Sequence, residues 1–235
     1  MKLIIIAAGQ GSRIRAITDG IPKTLLRIKG KSLLDRVLEN AFTVGIEEAI
    51  IVTGYKSSDL LSYIENNKFE TKVKTVYNPN WEKENGLSVL AAKPLIPDGA
   101  PFMISMSDHV YDTKLLSNIF QATLDNYDAL VGLDYRINSI YDIDDGMKVS
   151  VDKNNKTKIT GMSKTLSEFD AIDCGVFKCN FSFFNALEAA NELGNCSLAD
   201  GCNLFITESR MGGVDIGDSF WMDVDTPDAF EALVL

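Results

Sequence analysis

Residues 3–13 have the sequence Leu-Ile-Ile-Ile-Ala-Ala-Gly-Gln-Gly-Ser-Arg. The apolar, isoleucine-rich run over 3–8 is typical of a strand that is buried on both faces of a parallel sheet. We expect a turn at Gly9, because residues without side chains let backbone N–H groups close on phosphate oxygens. Arg13 ends the turn, and Lys23 follows Pro22. The stretch therefore predicts a strand, a glycine loop and two cations that together hold a triphosphate.

Composition limits the kinds of partner this chain can have. The 235 residues carry a formal net charge of -10. A chain this acidic is not expected to bind nucleic acid or an anionic membrane surface as its main partner. A phosphorylated substrate would need a local patch of cations, which makes the basic loop residues informative. The length suits one large domain, and we predict a single domain over residues 1–235.

Cysteine usage and hydropathy indicate the compartment. The four cysteines form no C-x-x-C pair and there is one histidine, so neither a zinc site nor a disulfide framework is expected. The sequence shows no secretory signal, and its apolar stretches are too short to span a bilayer. We therefore expect a reduced, cytoplasmic protein without a membrane segment.

Strand and helix patterns alternate along the first half of the chain. Such alternation predicts an α/β fold, with a Rossmann-like, mixed but mostly parallel sheet that has helices on both faces. The predicted strands cover residues 3–8, 48–53, 73–77, 102–106 and 129–133, and the predicted helices cover 33–42, 59–66, 88–93 and 114–126.

The second half has a different character. Residues 148–151 and 157–161 flank a polar turn and predict an inserted β-hairpin. A strand over 174–177 and a helix over 181–193 follow. Pro227 suits the first turn of a last helix.

Three motifs are expected to meet at one edge of the sheet. Gly9, Gly54 and Asp108 each follow a predicted strand. Ligands of open α/β sheets bind outside the carboxyl ends of the strands. We therefore expect the ligand at this edge.

Three aspartates are candidate magnesium ligands. A carboxylate at a strand end that faces a triphosphate, as expected for Asp108, is a natural Mg²⁺ ligand; the alternative is a helix cap or an Asx turn. Asp223 and Asp225 alternate along a strand and share one face, so both can point at one cation. The alternative is that one of them caps the helix at Pro227. Asp225 is our first choice for the direct ligand and Asp223 our second.

The glycine turn, together with Ile21-Pro22-Lys23-Thr24-Leu25, resembles the amino-terminal signature of the sugar-phosphate nucleotidyltransferases. Those enzymes transfer a nucleoside monophosphate from a triphosphate to a phosphorylated acceptor and release pyrophosphate. The resemblance implies a fold of the nucleotide-diphospho-sugar transferase type. It also implies that the later acidic segment supplies the second aspartate of the metal site.

The resemblance implies catalytic roles for three cations. Arg13 would hold the β- and γ-phosphates and Lys23 the α-phosphate, which fits a bidentate guanidinium and a point-like ammonium. Lys164 would reach the acceptor phosphate and the α-phosphate, with Lys148 as a weaker candidate for the same patch. The nucleotide-binding candidates are Ala7, Ala8, Gly9, Gly11, Asn85, Gly86, Ser88 and Asp108. The alternative for Asn85 and Gly86 is an ordinary turn, and the alternative for Ser88 is a helix N-cap.

Four further stretches, over residues 85–88, 107–111, 168–175 and 221–226, resemble the CTP:inositol-1-phosphate cytidylyltransferases. This subgroup transfers CMP from CTP to myo-inositol 1-phosphate and forms CDP-inositol. One departure is Cys174, where the subgroup usually has an Asp-Thr-Gly run. Several members carry a fused, membrane-embedded phosphatidyltransferase-like domain, so we expect a separate membrane partner of that kind or a chain that was cut. A homodimer is a further expectation.

The acceptor pocket leaves alternatives open. Glu168, Asp170 and Asp173 can accept hydrogen bonds from ring hydroxyls, and Asp173 is the strongest candidate because it lies near a glycine. The alternative for Glu168 and Asp170 is a solvated loop. Aromatic residues and acids also suit a cationic head group, as in phosphocholine or an aminoalkylphosphonate. The aromatic candidates are Trp81, Tyr111 and Trp221.

Two other functions are alternatives to the transfer of CMP to inositol 1-phosphate. A sugar-1-phosphate uridylyl- or guanylyltransferase would share the glycine turn and the cations. A nucleotide-sensing domain without activity would be marked by loss of Lys23 or of the metal acids, all of which are present. His109 is expected to be a structural hydrogen-bonding residue beside Asp108, because an acceptor phosphate is already an anion and needs no general base.

Overall fold

A computed structural model describes residues 1–234. The strands are β1 Lys2–Ile6, β2 Arg27–Ile28, β3 Lys31–Ser32, β4 Glu48–Thr53, β5 Lys72–Tyr77, β6 Phe102–Met106, β7 His109–Tyr111, β8 Ala129–Asp134, β9 Lys148–Val151, β10 Ile159–Ser163, β11 Ala171–Cys179, β12 Met211–Asp215 and β13 Trp221–Asp223. Nine of these strands form one sheet, whose main path runs β10-β9-β11-β6-β1-β4-β5, with β8 added to β11 and β12 added to β8. The α-helices are α1 Arg15–Thr18, α2 Leu33–Thr43, α3 Ser57–Asn66, α4 Gly86–Ala92, α5 Thr113–Gln121, α6 Ser182–Glu192, α7 Leu198–Thr207 and α8 Pro227–Val234.

The sheet is mixed, as predicted. Strands β6, β1, β4 and β5 are parallel neighbours. Strand β11 is antiparallel to β6, to β8 and to β9, and β9 forms the predicted hairpin with β10. The parallel part carries the glycine loop after β1, and the antiparallel part extends the sheet beyond β6.

Strand β1 is buried on both faces, because successive side chains of a strand point to opposite sides of the sheet. Ile4 and Ile6 pack into a core that includes side chains of α4, α6 and α7. Leu3 and Ile5 pack into a second core, which includes side chains of α2, α3 and α5. Helices therefore cover both faces, which confirms the predicted layer arrangement.

The predicted start of α2 agrees with the structure, whereas the predicted end of α5 does not. Helix α2 begins after Ser32, whose hydroxyl accepts a hydrogen bond from the Asp35 amide while the Asp35 carboxylate accepts one from the Ser32 amide. The predicted extension of α5 to Asn126 was wrong. That helix ends at Gln121, and the ammonium of the buried Lys178 donates to the carbonyl oxygens of Phe120 and Ala122 at 2.7 and 2.6 Å.

Helix α7 and strand β12 are the longest elements that the sequence analysis did not predict. Helix α7 begins at a capping box formed by Ser197 and Asp200, which is a local signal for a helix start. Strand β12 contains Gly212 and Gly213, which weaken a strand pattern. The structure explains both glycines, since a Cβ on Gly212 would lie 2.7 Å from Tyr127 and one on Gly213 2.3 Å from Leu133.

Among the helices within residues 1–234, none is both long and apolar enough to cross a bilayer.

Candidate active site

The glycine loop presents unpaired backbone donors at the carboxyl end of β1. Within residues 1–234, the amides of Gly9, Gln10 and Gly11 donate to no other protein atom. Gly11 has a φ of 62°, in the left-handed region that glycine adopts readily. A Cβ on Gly11 would lie 2.9 Å from Cβ of Lys23, whereas one on Gly9 would meet open space. Consecutive free N–H groups of this kind form a concave site for an anion.

Lys23 joins the two acidic segments. Its ammonium nitrogen lies 2.9 Å from Oδ2 of Asp108 and also contacts Oδ1 of Asp225. The backbone amide of Val224 donates to the carbonyl of Asp108 at 3.0 Å, which holds the two segments together. The Lys23 side chain is only 6% exposed. Asp108 and Asp225 are far apart in sequence, yet they lie around one buried cation.

Arg13 and Lys164 meet at a third carboxylate. Arg13 contacts both Asp145 and Asp225, and Nζ of Lys164 lies 2.9 Å from Oδ1 of Asp145. The two cations therefore point at the same region from different loops. Asp145 was missed by the sequence analysis; the acidic residues at 142, 144 and 145 were the available signal.

Two cavities adjoin this cluster. The first, which we call the glycine-loop cavity, has a volume of about 290 Å³ and is lined by Gly9, Gly11, Lys23, Trp81 and Ser88 among others. The second, which we call the Trp221 cavity, has a volume of about 310 Å³ and is lined by Lys164, Asp173 and Trp221 among others. Both are lined by Arg13, Asn85, Met106, Asp108 and Asp225.

Carboxylate oxygens cluster closely enough to hold one cation. One oxygen each of Asp145, Asp223 and Asp225 lies within 4.8 Å of the others, and Asp108, His109 and Asp223 form a second such group. Oδ1 of Asp223 is buried and, within residues 1–234, makes no hydrogen bond, although Nζ of Lys23 and Nδ1 of His109 each lie 3.8 Å from it. A buried carboxylate oxygen without a hydrogen bond fits a metal ligand, because burial of such an oxygen is costly unless a donor or a cation binds it directly.

Neighbouring charges set the pKa values at this site. Burial would raise the pKa of Asp108, but Lys23 and His109 outweigh burial and hold that pKa well below its usual range. Burial raises the pKa of Asp223, and the charge on Asp108 adds to the effect. Burial would lower the pKa of His109, yet Asp223 and Asp108 raise it above its usual value. Nδ1 of His109 donates to the ionised carboxylate of Asp108, with 3.0 Å between Nδ1 and Oδ1.

Asp173 has an unusual environment in the Trp221 cavity. Burial raises its pKa to about 6, although the Gly175 amide donates to Oδ1 at 2.7 Å. Strand β11 changes register between Asp173 and Phe177. Gly175 has a φ of 73° there, and a Cβ on it would lie 2.8 Å from the His109 ring. Asp173 therefore lines the Trp221 cavity at an irregular point of the strand.

Several candidate residues lie outside both cavities. Gly86 packs against Cys196, and a Cβ there would lie 2.4 Å from its carbonyl oxygen, so close packing accounts for this glycine. Asp170 accepts a hydrogen bond from the Val151 amide at 2.9 Å, and the Glu168 carbonyl accepts one from Ser150, so both serve the hairpin edge.

Lys148 and Ala8 also do not line the cavities near which they were expected. The ammonium of Lys148 donates to the carbonyls of Asp144 and Lys164, at 3.1 and 2.9 Å, and does not line the cavity. Ala8 is buried, and its carbonyl accepts from the Tyr55 amide. Its neighbour Ala7 does line the glycine-loop cavity.

Asn85 and Ser88 have structural partners as well as positions at the site. The Asn85 side chain accepts a hydrogen bond from the Leu198 amide at 2.8 Å, at the start of α7. Ser88 accepts one from Asn78 at 3.0 Å. Of the aromatic candidates, Trp81 and Trp221 line the cavities, while Tyr111 is buried and bonded to Ser105 at 2.8 Å.

Comparison with known proteins places this site in a family. Residues 3–137 match the model of the MobA-like NTP transferase domain. The chain therefore belongs to that family of nucleotidyltransferases.

Individual relatives and solved structures give a more detailed comparison than the family model. The chain is 30% identical to the "Bifunctional IPC transferase and DIPP synthase" of Aquifex aeolicus (97% of this chain, 50% of the relative). It is 29% identical to the protein of the same name from Archaeoglobus fulgidus (96% and 41%). It thus spans half or less of the length of these curated relatives. The inositol-1-phosphate CTP transferase from T. maritima has the same fold, with a TM-score of 0.86, 21% identity and coverage of 99% and 94%. A UDP-glucose pyrophosphorylase complexed with UDP-glucose aligns with a TM-score of 0.82, 17% identity and coverage of 99% and 96%.

Proposed function

We propose that this chain transfers CMP from CTP to myo-inositol 1-phosphate and releases pyrophosphate. The observation that carries the proposal is the convergence of Arg13, Lys23 and Lys164 on the boundary between two cavities. A nucleotidyltransferase needs two anionic substrates side by side, and this boundary offers cations to both. The names of the relatives and of the T. maritima structure favour inositol 1-phosphate as the acceptor.

The glycine-loop cavity suits the nucleotide. Free amides of the loop can donate to phosphate oxygens, and Lys23 lies at the inner end of the loop beside Gly11. Trp81 and Ser88 line the same cavity and can contact the base. Arg13 and Lys23 are paired with carboxylates in this structure, so the triphosphate would have to replace or share those partners.

The Trp221 cavity suits the acceptor. Lys164 and Arg13 can hold its phosphate beside the α-phosphate of the nucleotide. Asp173 faces the interior of the cavity and can accept a hydrogen bond from a ring hydroxyl. Glu168, Asp170 and Lys148 do not line this cavity, so we do not propose them as acceptor ligands.

The acids fit a divalent metal, for which we propose Mg²⁺. We propose Asp108, Asp223 and Asp225 as its ligands. Asp223 belongs to both groups of ligand atoms, one with Asp108 and one with Asp225, and its Oδ1 makes no hydrogen bond, so it is as strong a ligand candidate as Asp225. When bound, Mg²⁺ supplies positive charge that neutralises phosphate oxygens in the transition state.

The chemical step is a substitution at the α-phosphorus. An oxygen of the acceptor phosphate forms the new bond, and the bond from the α-phosphorus to the bridging oxygen of the β-phosphate breaks, so pyrophosphate leaves with the electron pair. Lys23 and Arg13 balance the negative charge on the phosphates, and Lys164 orients the attacking group. No side chain has to accept a proton, because the attacking phosphate is already ionised.

A cationic acceptor is the second candidate. Trp221 and Tyr141 line the same cavity as Asp173 and Asp223, and an aromatic face with nearby acids favours a quaternary or primary ammonium group. Phosphocholine or an aminoalkylphosphonate would present such a group. A sugar 1-phosphate remains a less favoured acceptor.

The test is pyrophosphate release from CTP and Mg²⁺ with a panel of acceptors: inositol 1-phosphate, phosphocholine and glucose 1-phosphate. We expect inositol 1-phosphate to give the highest kcat/KM. Lys23→Met should abolish release, whereas Lys93→Met, which removes an ion pair with Glu188 away from both cavities, should not. Preference for phosphocholine would support the second candidate. Nucleotide binding without release from any acceptor would instead favour a nucleotide-sensing domain.

We propose that residues 1–235 act as one domain in the cytoplasm, as a homodimer or with a membrane-embedded phosphatidyltransferase-like partner. Cell fractionation and light scattering of the purified chain test the location and the dimer. Co-purification from membranes tests the partner.

A further inference from the structure

Trp221 forms part of the wall of the cavity named after it, and its ring has a defined orientation. The indole stacks on the imidazole of His109, with ring centres 5.8 Å apart and planes inclined by 17°. His109 in turn contacts Asp108 at 3.0 Å. The indole therefore links the cavity wall to the acidic cluster.

A buried carboxylate fixes the orientation of the indole through a hydrogen bond. Nε1 of Trp221 donates to Oδ2 of Asp134 at 2.8 Å. Asp134 is 3% exposed and stands at the end of β8. It does not line either cavity.

Arg136 completes the network. Its guanidinium donates to both oxygens of Asp134, at 2.9 and 2.8 Å, and its amide donates to Oδ1 at 2.8 Å. The same guanidinium donates to the carbonyl of Ser219 at 2.6 Å. Because Ser219 lies just before β13, Asp134 and Arg136 hold both the ring of Trp221 and the chain that leads into it. Charge-assisted, bidentate bonds of this kind impose a defined geometry.

We propose that Asp134 and Arg136 are positioning residues that fix the indole of Trp221 as a flat wall of the acceptor site, and so determine acceptor specificity without touching either substrate. A flat aromatic wall accepts the C–H face of a ring polyol or a cationic head group, and it excludes acceptors that need space beyond it. The assignment of the cavity to the acceptor rests on the proposed function; the geometry of the indole does not.

Nuclear magnetic resonance can test the geometry in the free protein. The chain has one histidine and two tryptophans, so the His109 imidazole signal and the Trp221 indole N–H signal are simple to assign. In Asp134→Asn, an NH₂ group replaces one of the two carboxylate oxygens and faces N–H donors of Arg136 or Trp221 that it cannot accept from. We expect the Trp221 N–H signal to move and the His109 signals to lose the ring-current shift of the stacked indole.

Asp128→Asn is the matched control. Asp128 also accepts from an arginine, with Nε of Arg210 at 2.6 Å, and it lines neither cavity. This variant should lose comparable stability yet leave the His109 and Trp221 signals in place. Unchanged signals in Asp134→Asn would overturn the positioning role, whatever the activity of the enzyme.

Kinetics test the consequence for specificity. In Asp134→Asn the KM for the best acceptor of the panel should rise by about tenfold, while the KM for CTP changes less than about twofold. Trp221→Phe keeps a ring but removes the N–H donor, so its effect on the acceptor KM should not add to that of Asp134→Asn. Additive effects, or equal changes for both substrates, would refute the inference. If no acceptor reacts with the wild type, the proposed function fails, and the magnetic resonance result alone decides the positioning role.

Discussion

Nζ of Lys23 lies 2.9 Å from Oδ2 of Asp108, with both side chains largely withdrawn from solvent. Asp225 contacts the same nitrogen from the other acidic segment. A single ammonium thus separates carboxylates that would otherwise repel each other. Lys23 has a structural role in this cluster as well as the catalytic role proposed for it.

Replacing Lys23 by methionine should therefore affect both activity and stability. Turnover should fall by about a thousandfold or more, because charge stabilisation at the reacting phosphate is lost. Removing one partner of a buried ion pair also leaves unpaired charge, so the free energy of unfolding should fall by about 3–5 kcal/mol. Calorimetry with and without Mg²⁺ measures the change.

Mg²⁺ should restore part of the stability of Lys23→Met but none of its turnover, since an ion can neutralise the acids without replacing the lysine. The half-exposed Lys164 provides the comparison: Lys164→Met should change stability by less than about 1 kcal/mol. A Lys23 variant that is as stable as the wild type would contradict the structural role.

The Mg²⁺ concentration that the reaction requires should depend on the aspartates proposed as metal ligands. Asp223→Asn removes the charge of a carboxylate whose Oδ1 makes no hydrogen bond, so the Mg²⁺ concentration needed for half-maximal pyrophosphate release should rise by about tenfold or more. Asp225→Asn should behave similarly. Chelation of divalent ions should abolish release from the wild type. An Asp223 variant with unaltered Mg²⁺ dependence would remove that residue from the metal site.

The two loop glycines should respond differently to alanine. Gly11→Ala combines a left-handed backbone with a close contact to Lys23, so it should lower the free energy of unfolding by about 1–3 kcal/mol. Gly9→Ala meets open space and should leave stability unchanged, yet its methyl group would occupy the position proposed for phosphate. We expect a higher KM for CTP in Gly9→Ala, measured by steady-state kinetics beside thermal unfolding. Normal CTP binding in that variant would argue against phosphate at the loop.

Asp173 should make folding depend on pH. Its pKa is raised to about 6 in the folded chain, above the usual value near 3.8, so the folded state binds the proton more tightly. Stability should therefore fall as pH rises from about 4 to 6 and stay low above that range. Asp173→Asn should be more stable than the wild type at pH 7, by about 1–3 kcal/mol, with the difference vanishing below pH 4. Urea unfolding at several pH values measures this, and equal stability at pH 7 would contradict it.

The strands and helices with local signals were predictable. The isoleucine-rich β1 and the capped α2 depend on hydrophobic periodicity and on a serine cap, which neighbouring residues determine. The prediction that Gly9 and Asp108 lie at the same edge of the sheet followed from the alternation of strands and helices and from the position of each residue after a strand. Strand β12 was not predicted, because its two glycines are explained by close packing against Tyr127 and Leu133, which lie in other parts of the chain.

The sequence by itself determined the glycine loop, the two nearby cations and the candidate acids, because residue type and short-range order are enough to identify such groups. Only the tertiary structure decided which groups meet. It brought Asp145 to Arg13 and Lys164, set Asp134 behind Trp221, and left Lys148, Glu168 and Asp170 outside the cavity. The physical reason is that side-chain contacts between distant segments depend on strand order, register and loop paths, none of which a local pattern specifies.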